Sequence, residues 1–166
     1  MQIGVYSDSS NHGVGIIKSG NYVYLSNQTK GVQIIDVSDP KNPKLVSEYT
    51  TTDAKDAYVS GNYLYLADGT GGLKILDITD PRNISQVGIY ATSMDSRGIQ
   101  VSGTVAYIAD ASNGLKAFDV SDITKPSLIY TLPTTNTLSV YIDSTGHAYV
   151  ADDTAGVRIY RVEKGN

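Results

Sequence analysis

The apolar positions of the chain fall into short runs, and each run is bounded by Gly, Asn, Asp, Ser or Pro. No window shows the spacing of three to four residues that an amphipathic helix requires. In the second quarter of the chain the pattern predicts four strands, at 56–60, 63–67, 73–78 and 85–90. Tyr and Leu alternate within 63–67, so both faces of that strand are apolar, which is typical of a sheet covered on both sides.

The same pattern recurs along the whole chain. Its marker tyrosines are 41, 42 and 42 residues apart, at Tyr24, Tyr65, Tyr107 and Tyr149. A period near 40 residues, with four short strands in each repeat, is typical of the blades of a β-propeller. We therefore predict an all-β propeller of four blades, each with four antiparallel strands, in a single domain that spans residues 1–166.

The two ends of the chain complement each other in this scheme. The fourth repeat stops after its third strand, near Tyr160, whereas residues 2–7 resemble the fourth-strand segments 44–49 and 86–90. We expect residues 1–7 to complete the last blade and make the chain a whole unit with no unpaired inner edge. The same pairing between two chains would give an eight-blade ring with two-fold symmetry. The closed monomer is favoured, because a strand of the same chain has a high effective concentration.

The third strand of each repeat carries a family motif. It reads VQIID at 32–36, LKILD at 73–77 and LKAFD at 115–119, after Tyr-x-Ala-Asp or a related run and a Gly, and before Ser/Thr-Asp-Pro in the first two copies. Over essentially the entire chain this resembles the LVIVD repeat family of β-propeller proteins. The last copy departs from the motif, with Arg161 in place of the Asp. The resemblance implies a propeller fold and a surface-associated location, and it offers no catalytic residue to transfer.

Composition narrows the classes of partner. The net charge is −4, from 13 basic and 17 acidic residues, which argues against a nucleic-acid surface. The chain has no Cys, so disulfides, zinc–thiolate sites and thiol catalysis are excluded. No apolar run reaches the roughly 20 residues of a membrane helix, and we predict no membrane insertion. Few charges, with abundant Ser, Thr, Asn, Gly and Tyr, favour an extracellular or cell-surface location.

The recurring carboxylates have a structural interpretation. An acidic residue ends the second strand in three repeats and Asn27 takes its place in the first; we expect each to cap its hairpin by accepting a backbone N–H two residues on. A ring of these carboxylates around a cation is the alternative. A second set, at the end of the third strand, should start turns. We predict no metal, no cofactor and no catalytic residue. The two sets are Asp68, Asp110 and Asp152, and Asp36, Asp77 and Asp119.

Ligand contacts are expected where the repeats differ. The connections at 10–14, 51–57, 93–99 and 133–140 are the least alike, and all of them should emerge on one face, beside the hairpins that follow the second strands. The polar residues of these connections are the candidate ligand-binding groups. They are His12, Asp53, Lys55, Asp56, Asp95 and Arg97.

Three functions are compatible with this pattern. The first is a non-enzymatic extracellular or cell-surface module for binding or assembly, which recognises a protein or a glycan through the variable loop face. The second is a hydrolase or lyase acting on polysaccharide, with carboxylates at the mouth of the channel. The third is a structural subunit of a polymeric surface assembly. The mostly apolar inner strands, with Val59, Ile99 and Val140, favour the first over the second, because an enzyme needs convergent polar groups there.

Overall fold

The chain folds into four antiparallel β-sheets that follow one another in sequence order. The structure is a computed structural model, and it describes residues 1–7, 12–91 and 94–162. We call the sheets blades 1 to 4. Blade 1 comprises β1 (Gly15–Ser19), β2 (Tyr22–Ser26), β3 (Val32–Asp36) and β4 (Lys44–Tyr49). Blade 2 comprises β5 (Asp56–Ser60), β6 (Tyr63–Ala67), β7 (Leu73–Asp77) and β8 (Ser85–Tyr90). Blade 3 comprises β9 (Gly98–Ser102), β10 (Val105–Ala109), β11 (Leu115–Asp119) and β12 (Ser127–Leu132). Blade 4 comprises β13 (Ser139–Ile142), β14 (His147–Ala151) and β15 (Val157–Arg161), with a 3₁₀ turn at Asp153–Ala155.

The register inside the blades repeats as closely as the sequence does. Tyr65 on β6 lies opposite Tyr58 on β5 and Ile75 on β7, so these three side chains share one face of blade 2. The pairing of the third and fourth strands shifts by one residue at the same point in blades 1, 2 and 3. A bulge of this kind bends a strand and increases its twist, which suits an outer strand that wraps around its blade. The predicted all-β, four-sheet architecture is confirmed.

Three apolar cores lie between successive blades. We call the face that a blade turns toward the next blade its forward face, and the opposite face its rear face. In the seam between blades 2 and 3, Leu73 and Ile75 of the forward face pack against Ile99, Ile108 and Phe118 of the rear face. Equivalent positions form the seams between blades 1 and 2 and between blades 3 and 4. Both faces of an inner blade are therefore buried, as the alternation in β6 predicts.

The two outermost faces have no such cover. Ile159 on the forward face of blade 4 is 61% exposed and Val157 is 69% exposed, whereas the equivalent Ile75 and Leu73 are both 0% exposed. On the rear face of blade 1, Ile16 is 70% exposed. Within the described part of the chain, the four blades form an arc in which blades 1 and 4 do not pack on each other as the inner blades do.

Closure of the last blade by residues 1–7 is not confirmed. The last sheet has three strands, and within the described residues no fourth strand pairs with β15. Gly4 instead lies against blade 1, where an added Cβ would be 2.0 Å from the carbonyl oxygen of Pro40. The physical reason is the open arc: blades 1 and 4 are apart, so the N-terminal segment packs on the blade to which it is joined.

Candidate functional site

The loop face is held together by backbone bonds between neighbouring blades. It comprises the connections that lead into the inner strands and the hairpins between second and third strands. Gln28, in the hairpin of blade 1, exchanges two N–H···O bonds of 3.0 Å with Ala54, in the connection to blade 2. The equivalent pairs are Gly69 with Ser96 and Ala111 with Thr137. The prediction that connections and hairpins share one face is confirmed.

The connections into blades 2, 3 and 4 are also fastened by a buried carboxylate of the blade that they enter. Asp68 accepts the backbone N–H of Asp53 at 2.8 Å and of Thr52 at 3.2 Å, and it pairs with the ammonium of Lys74. Asp68 therefore has the predicted structural role. The predicted partner, a backbone N–H two residues later in the chain, is wrong. The N–H groups come from a connection about fifteen residues earlier, because that connection runs over the end of β6.

The same arrangement recurs in blades 3 and 4. Asp110 accepts the N–H of Asp95 at 2.5 Å and pairs with Lys116. Asp152 accepts the N–H groups of Thr135 at 2.8 Å and Asn136 at 2.6 Å and pairs with Arg158. We call each of these groups a carboxylate node.

In the node of blade 4 the hydrogen bonds outweigh the cost of burial. Burial by itself raises the pKa of Asp152. The N–H groups of Asn136 and Thr135 and the guanidinium of Arg158 act in the opposite direction and lower that pKa to about 2. The carboxylate is therefore ionised at neutral pH and serves as a fixed acceptor for the loop.

Blade 1 replaces the charged node with a neutral one. Asn27 stands where the aspartates stand, and its Oδ1 accepts the backbone N–H of His12 at 2.6 Å. Its amide donates to Gln33 Oε1 at 3.1 Å, and Gln33 Nε2 donates to Glu48 Oε1 at 2.5 Å. Acid and base are thus exchanged together for two amides, so that neither buried side chain is left with an uncompensated charge.

Four of the six predicted ligand-binding residues form two matched ion pairs. Lys55 Nζ lies 2.9 Å from Asp53 Oδ2, and Arg97 Nη2 lies 2.8 Å from Asp95 Oδ2. The two pairs occupy equivalent positions in the connections to blades 2 and 3, and all four side chains are partly exposed. The structure therefore places an acid–base ion pair at the same position of two adjacent blades, on one face of the molecule.

Asp56 lies apart from these two ion pairs, in the seam between blades 2 and 3. Its carboxylate accepts the N–H of Ala57 at 2.9 Å and of Ile99 on the next blade at 3.1 Å. Burial raises the pKa of Asp56, and these two hydrogen bonds oppose the shift. Its observed contacts tie one inner strand to the next.

His12 and one residue that the sequence analysis did not single out complete the loop face. His12 is exposed, and its position in blade 1 corresponds to that of Asp53 in blade 2. In blade 4 the corresponding residue is Asn136, which donates from Nδ2 to Asp153 Oδ2 at 3.0 Å. Asn136 stands at the same distance before its inner strand as Asp53 does in blade 2, and this spacing in the sequence could have identified it. Residues 10, 11 and 93 of the predicted connections lie outside the described residues.

Within 1–7, 12–91 and 94–162 no three His, Asp or Glu side chains are grouped closely enough to hold a metal ion. No helix in those segments has the length and apolarity to cross a bilayer.

Comparison with known proteins decides the family. A model described as the LVIVD repeat matches residues 14–51, 52–92 and 94–134, which is well over half of the chain. The chain belongs to the LVIVD repeat family. The predicted resemblance is thereby confirmed, and the three matched LVIVD repeats coincide with blades 1, 2 and 3. No curated protein matches the chain.

Solved structures with the same architecture are propellers. The computationally designed protein Ika4 superposes with a TM-score of 0.78 at 10% identity, over 98% of this chain and 99% of its own. The designed protein Ika8 superposes with a TM-score of 0.69 at 10% identity, over 92% of this chain and 48% of its own. U3-55K gives a TM-score of 0.79 at 11% identity, over 95% of this chain and 50% of its own. The LVIVD-repeat chain thus spans about half the length of the last two, and at such low identity the likeness shows the propeller fold alone.

Proposed function

We propose that this LVIVD-repeat protein is a non-enzymatic binding and assembly module of the cell surface or extracellular space, which recognises a protein or a glycan through its loop face. The observation that carries the proposal is the two partly exposed ion pairs, Asp53 with Lys55 and Asp95 with Arg97, at equivalent positions on adjacent blades. Charged side chains in variable loops on a rigid scaffold are typical of recognition surfaces.

The loops that carry these pairs are rigidly supported. The connection with Asp53 is bonded to the hairpin of blade 1 through Ala54 and to the node of blade 2 through Asp68. The connection with Asp95 is held in the same way by Gly69 and Asp110. Because the backbone is already ordered, little conformational entropy would be lost when a partner binds.

These partly exposed ion pairs can also exchange partners at small cost. A solvent-exposed pair contributes about 0–1 kcal/mol to stability. Asp53 or Arg97 can therefore turn to a charged or hydroxyl group of a partner without destabilising the scaffold. A surface that offers both signs of charge suits a protein or a glycan better than a polyanion.

The use of the buried carboxylates supports a non-enzymatic module over a polysaccharide hydrolase or lyase. Glycoside hydrolysis needs two carboxyl groups that flank an accessible bond. Asp68, Asp110 and Asp152 are buried, and each is occupied by a backbone N–H and a cation of the scaffold. Among the described residues of the loop face, the partly exposed Asp53 and Asp95 each lie against a basic neighbour.

The test compares two faces of the same scaffold on one array of glycans and matrix proteins. The loop-face variant replaces Asp53, Lys55, Asp95 and Arg97 with Ala. The control replaces Lys41, Lys44 and Arg82, exposed residues of the opposite face, with Ala. We expect the wild type and the control to bind the same array member and the loop-face variant to lose it. Loss in the control alone would reverse the choice of face, and turnover of an arrayed polysaccharide would favour the enzyme.

A further inference from the structure

We propose that two copies of this chain close one eight-blade ring. The forward face of blade 4 in each copy packs on the rear face of blade 1 in the other, and residues 1–7 of each copy supply the fourth strand of the other's blade 4. The inference concerns the two ends of the arc and does not depend on the proposed role of the loop face.

The exposed end faces have the composition of the buried seams. Val157 and Ile159 occupy the forward-face positions held by Leu73 and Ile75 in blade 2. Tyr149 stands at the position of Tyr65. Apolar side chains in register across a whole sheet face are expected to be covered. The chain itself shows what covers a forward face, because all three internal seams place a rear face on it.

The position of the N-terminal segment identifies the blade that is missing in front of blade 1. Gly88, in the fourth strand of blade 2, lies against blade 3, where an added Cβ would be 1.9 Å from the carbonyl oxygen of Ile123. Ser47, in the fourth strand of blade 1, donates to the equivalent oxygen of Pro81 at 2.6 Å. Gly4 meets the equivalent oxygen of Pro40 in the same way. Residues 1–7 therefore sit on blade 1 where the outer strand of a preceding blade would sit.

That preceding blade also needs three inner strands, and blade 4 provides three strands whose outer edge pairs with no strand of the described residues. In blades 1 to 3 the glycine before the third strand lies against the fourth strand; at Gly72 an added Cβ would be 2.2 Å from the carbonyl oxygen of Tyr90. At Gly156, the equivalent in blade 4, no atom of the described part of the chain lies within 4 Å of the added Cβ. Residues 2–6, Gln-Ile-Gly-Val-Tyr, match Gln86–Tyr90 of β8 in phase, so Tyr6 would face Gly156 as Tyr90 faces Gly72.

A groove marks the place that the second copy would fill. It has a volume of about 330 Å³ and lies between the N-terminal segment and the rear face of blade 1, with Val5, Tyr6, Ile16 and Leu25 among its lining residues. In the internal seams, the forward face of the preceding blade fills the space beside each rear face. The forward face of a second copy's blade 4 has the matching residues Val157 and Ile159.

The curvature of the arc favours a second copy over closure within one chain. Four blades stacked with the internal seam geometry leave both end faces open. The same arc superposes on about half of the chain of Ika8 and of U3-55K. A contact between unlike faces closes a ring only if the rotation is completed. Two arcs complete it with two identical new seams and two identical strand exchanges.

The test is the solution mass of three single variants, measured by light scattering over a range of concentrations. Ile159→Asp and Ile16→Asp each place a charge on one end face, where the isolated chain tolerates it because both positions are exposed. Ile89→Asp, at an exposed position of the outer strand of blade 2, is the matched control.

We expect the wild type and Ile89→Asp to have twice the chain mass of 17.7 kDa, and both end-face variants to fall to the single-chain mass with an unchanged β-sheet circular dichroism spectrum. A wild-type mass of one chain at all concentrations would overturn the proposal in favour of closure within the chain. A mass that grows without limit would overturn it in favour of a filament. Doubled mass in both end-face variants would show that the dimer uses another surface.

Discussion

Blades 2 and 4 present nearly the same side chains on their forward faces, yet one face is buried and the other is exposed. Ile75 and Leu73 are covered by blade 3, whereas Ile159 and Val157 face solvent. Both pairs are apolar and sit at the same register on a third strand. Burial in a propeller is therefore a property of the neighbouring blade, and the proposed second copy would supply the neighbour that the end faces lack in one chain.

The largest expected difference between these faces comes from truncating the two isoleucines. Ile75→Ala should lower the free energy of unfolding by about 2–5 kcal/mol at any protein concentration, because it leaves a cavity in an internal seam. Ile159→Ala should cost less than about 0.5 kcal/mol in the separate chain, as is usual at exposed sites. Its cost should rise with protein concentration once the end faces meet. Urea unfolding at two concentrations measures both. Equal costs at high dilution would mean that Ile159 is already buried within its own chain.

Two glycines sharpen the comparison at the edge of the sheet. Gly72 and Gly156 have φ values of 77° and 78°, so Ala at either site should cost about 1–3 kcal/mol in backbone strain. At Gly72 the new Cβ also collides with the carbonyl oxygen of Tyr90, which should add about 1–3 kcal/mol of overpacking. At Gly156 it meets no atom of the described residues, and its additional effect should be on dimerisation. Thermal unfolding and light scattering separate the two. Equal destabilisation of the two variants in dilute solution would contradict the open edge.

The smallest effect is a pH dependence that differs between the internal seam and the end of the arc. Burial raises the pKa of Asp56 in the folded protein, so the charged carboxylate destabilises the fold at a pH above that raised pKa. The free energy of unfolding therefore increases as the pH falls from the raised pKa to the ordinary pKa of an aspartate. The pKa of Asp152 is lowered to about 2, so its stabilisation is present above the ordinary value and is lost as the pH falls toward 2. Asp56→Asn should remove the first trend and Asp152→Asn the second. Urea unfolding from pH 7 to pH 2 checks both signs, and an unchanged profile in either variant would contradict its assignment.

The repeat pattern was sufficient for the blades because each strand is defined locally. The strands predicted at 56–60, 63–67 and 85–90 are those observed. The strand predicted at 73–78 ends one residue earlier, at Asp77. Closure was not predictable in the same way, since it depends on the angle between blades, which no single repeat encodes.

The candidate site was predicted unevenly for a related reason. Asp68 was recognised as structural, but its bonds to Asp53 and Lys74 join segments that are distant or on opposite strands. The joint change to Asn27 and Gln33 in blade 1 was a visible signal of the second bond. The two ion pairs of the loop face were easier to predict, because the acid and the base have the same spacing in the connections to blades 2 and 3.

The central claim, that the open ends of the arc meet between two chains, is tested most directly by a disulfide across the proposed new strand pair. Leu73 pairs with Tyr90 in blade 2, and the equivalent pair would be Val157 with Tyr6. The chain has no cysteine of its own, so Val157→Cys with Tyr6→Cys in one molecule introduces the only two thiols, and the two single-cysteine variants control for bridges between like residues. Residues opposite each other on paired strands have Cβ atoms about 4.5–5.5 Å apart, close enough to cross-link after mild oxidation.

The readout is the mass of the oxidised protein on a denaturing gel without reductant. We expect a covalent dimer that returns to the single chain on reduction, with neither single-cysteine variant giving more than a trace of it. Quantitative oxidation with the mass of one chain would show that residues 1–7 reach their own blade 4, and it would contradict the two-chain ring.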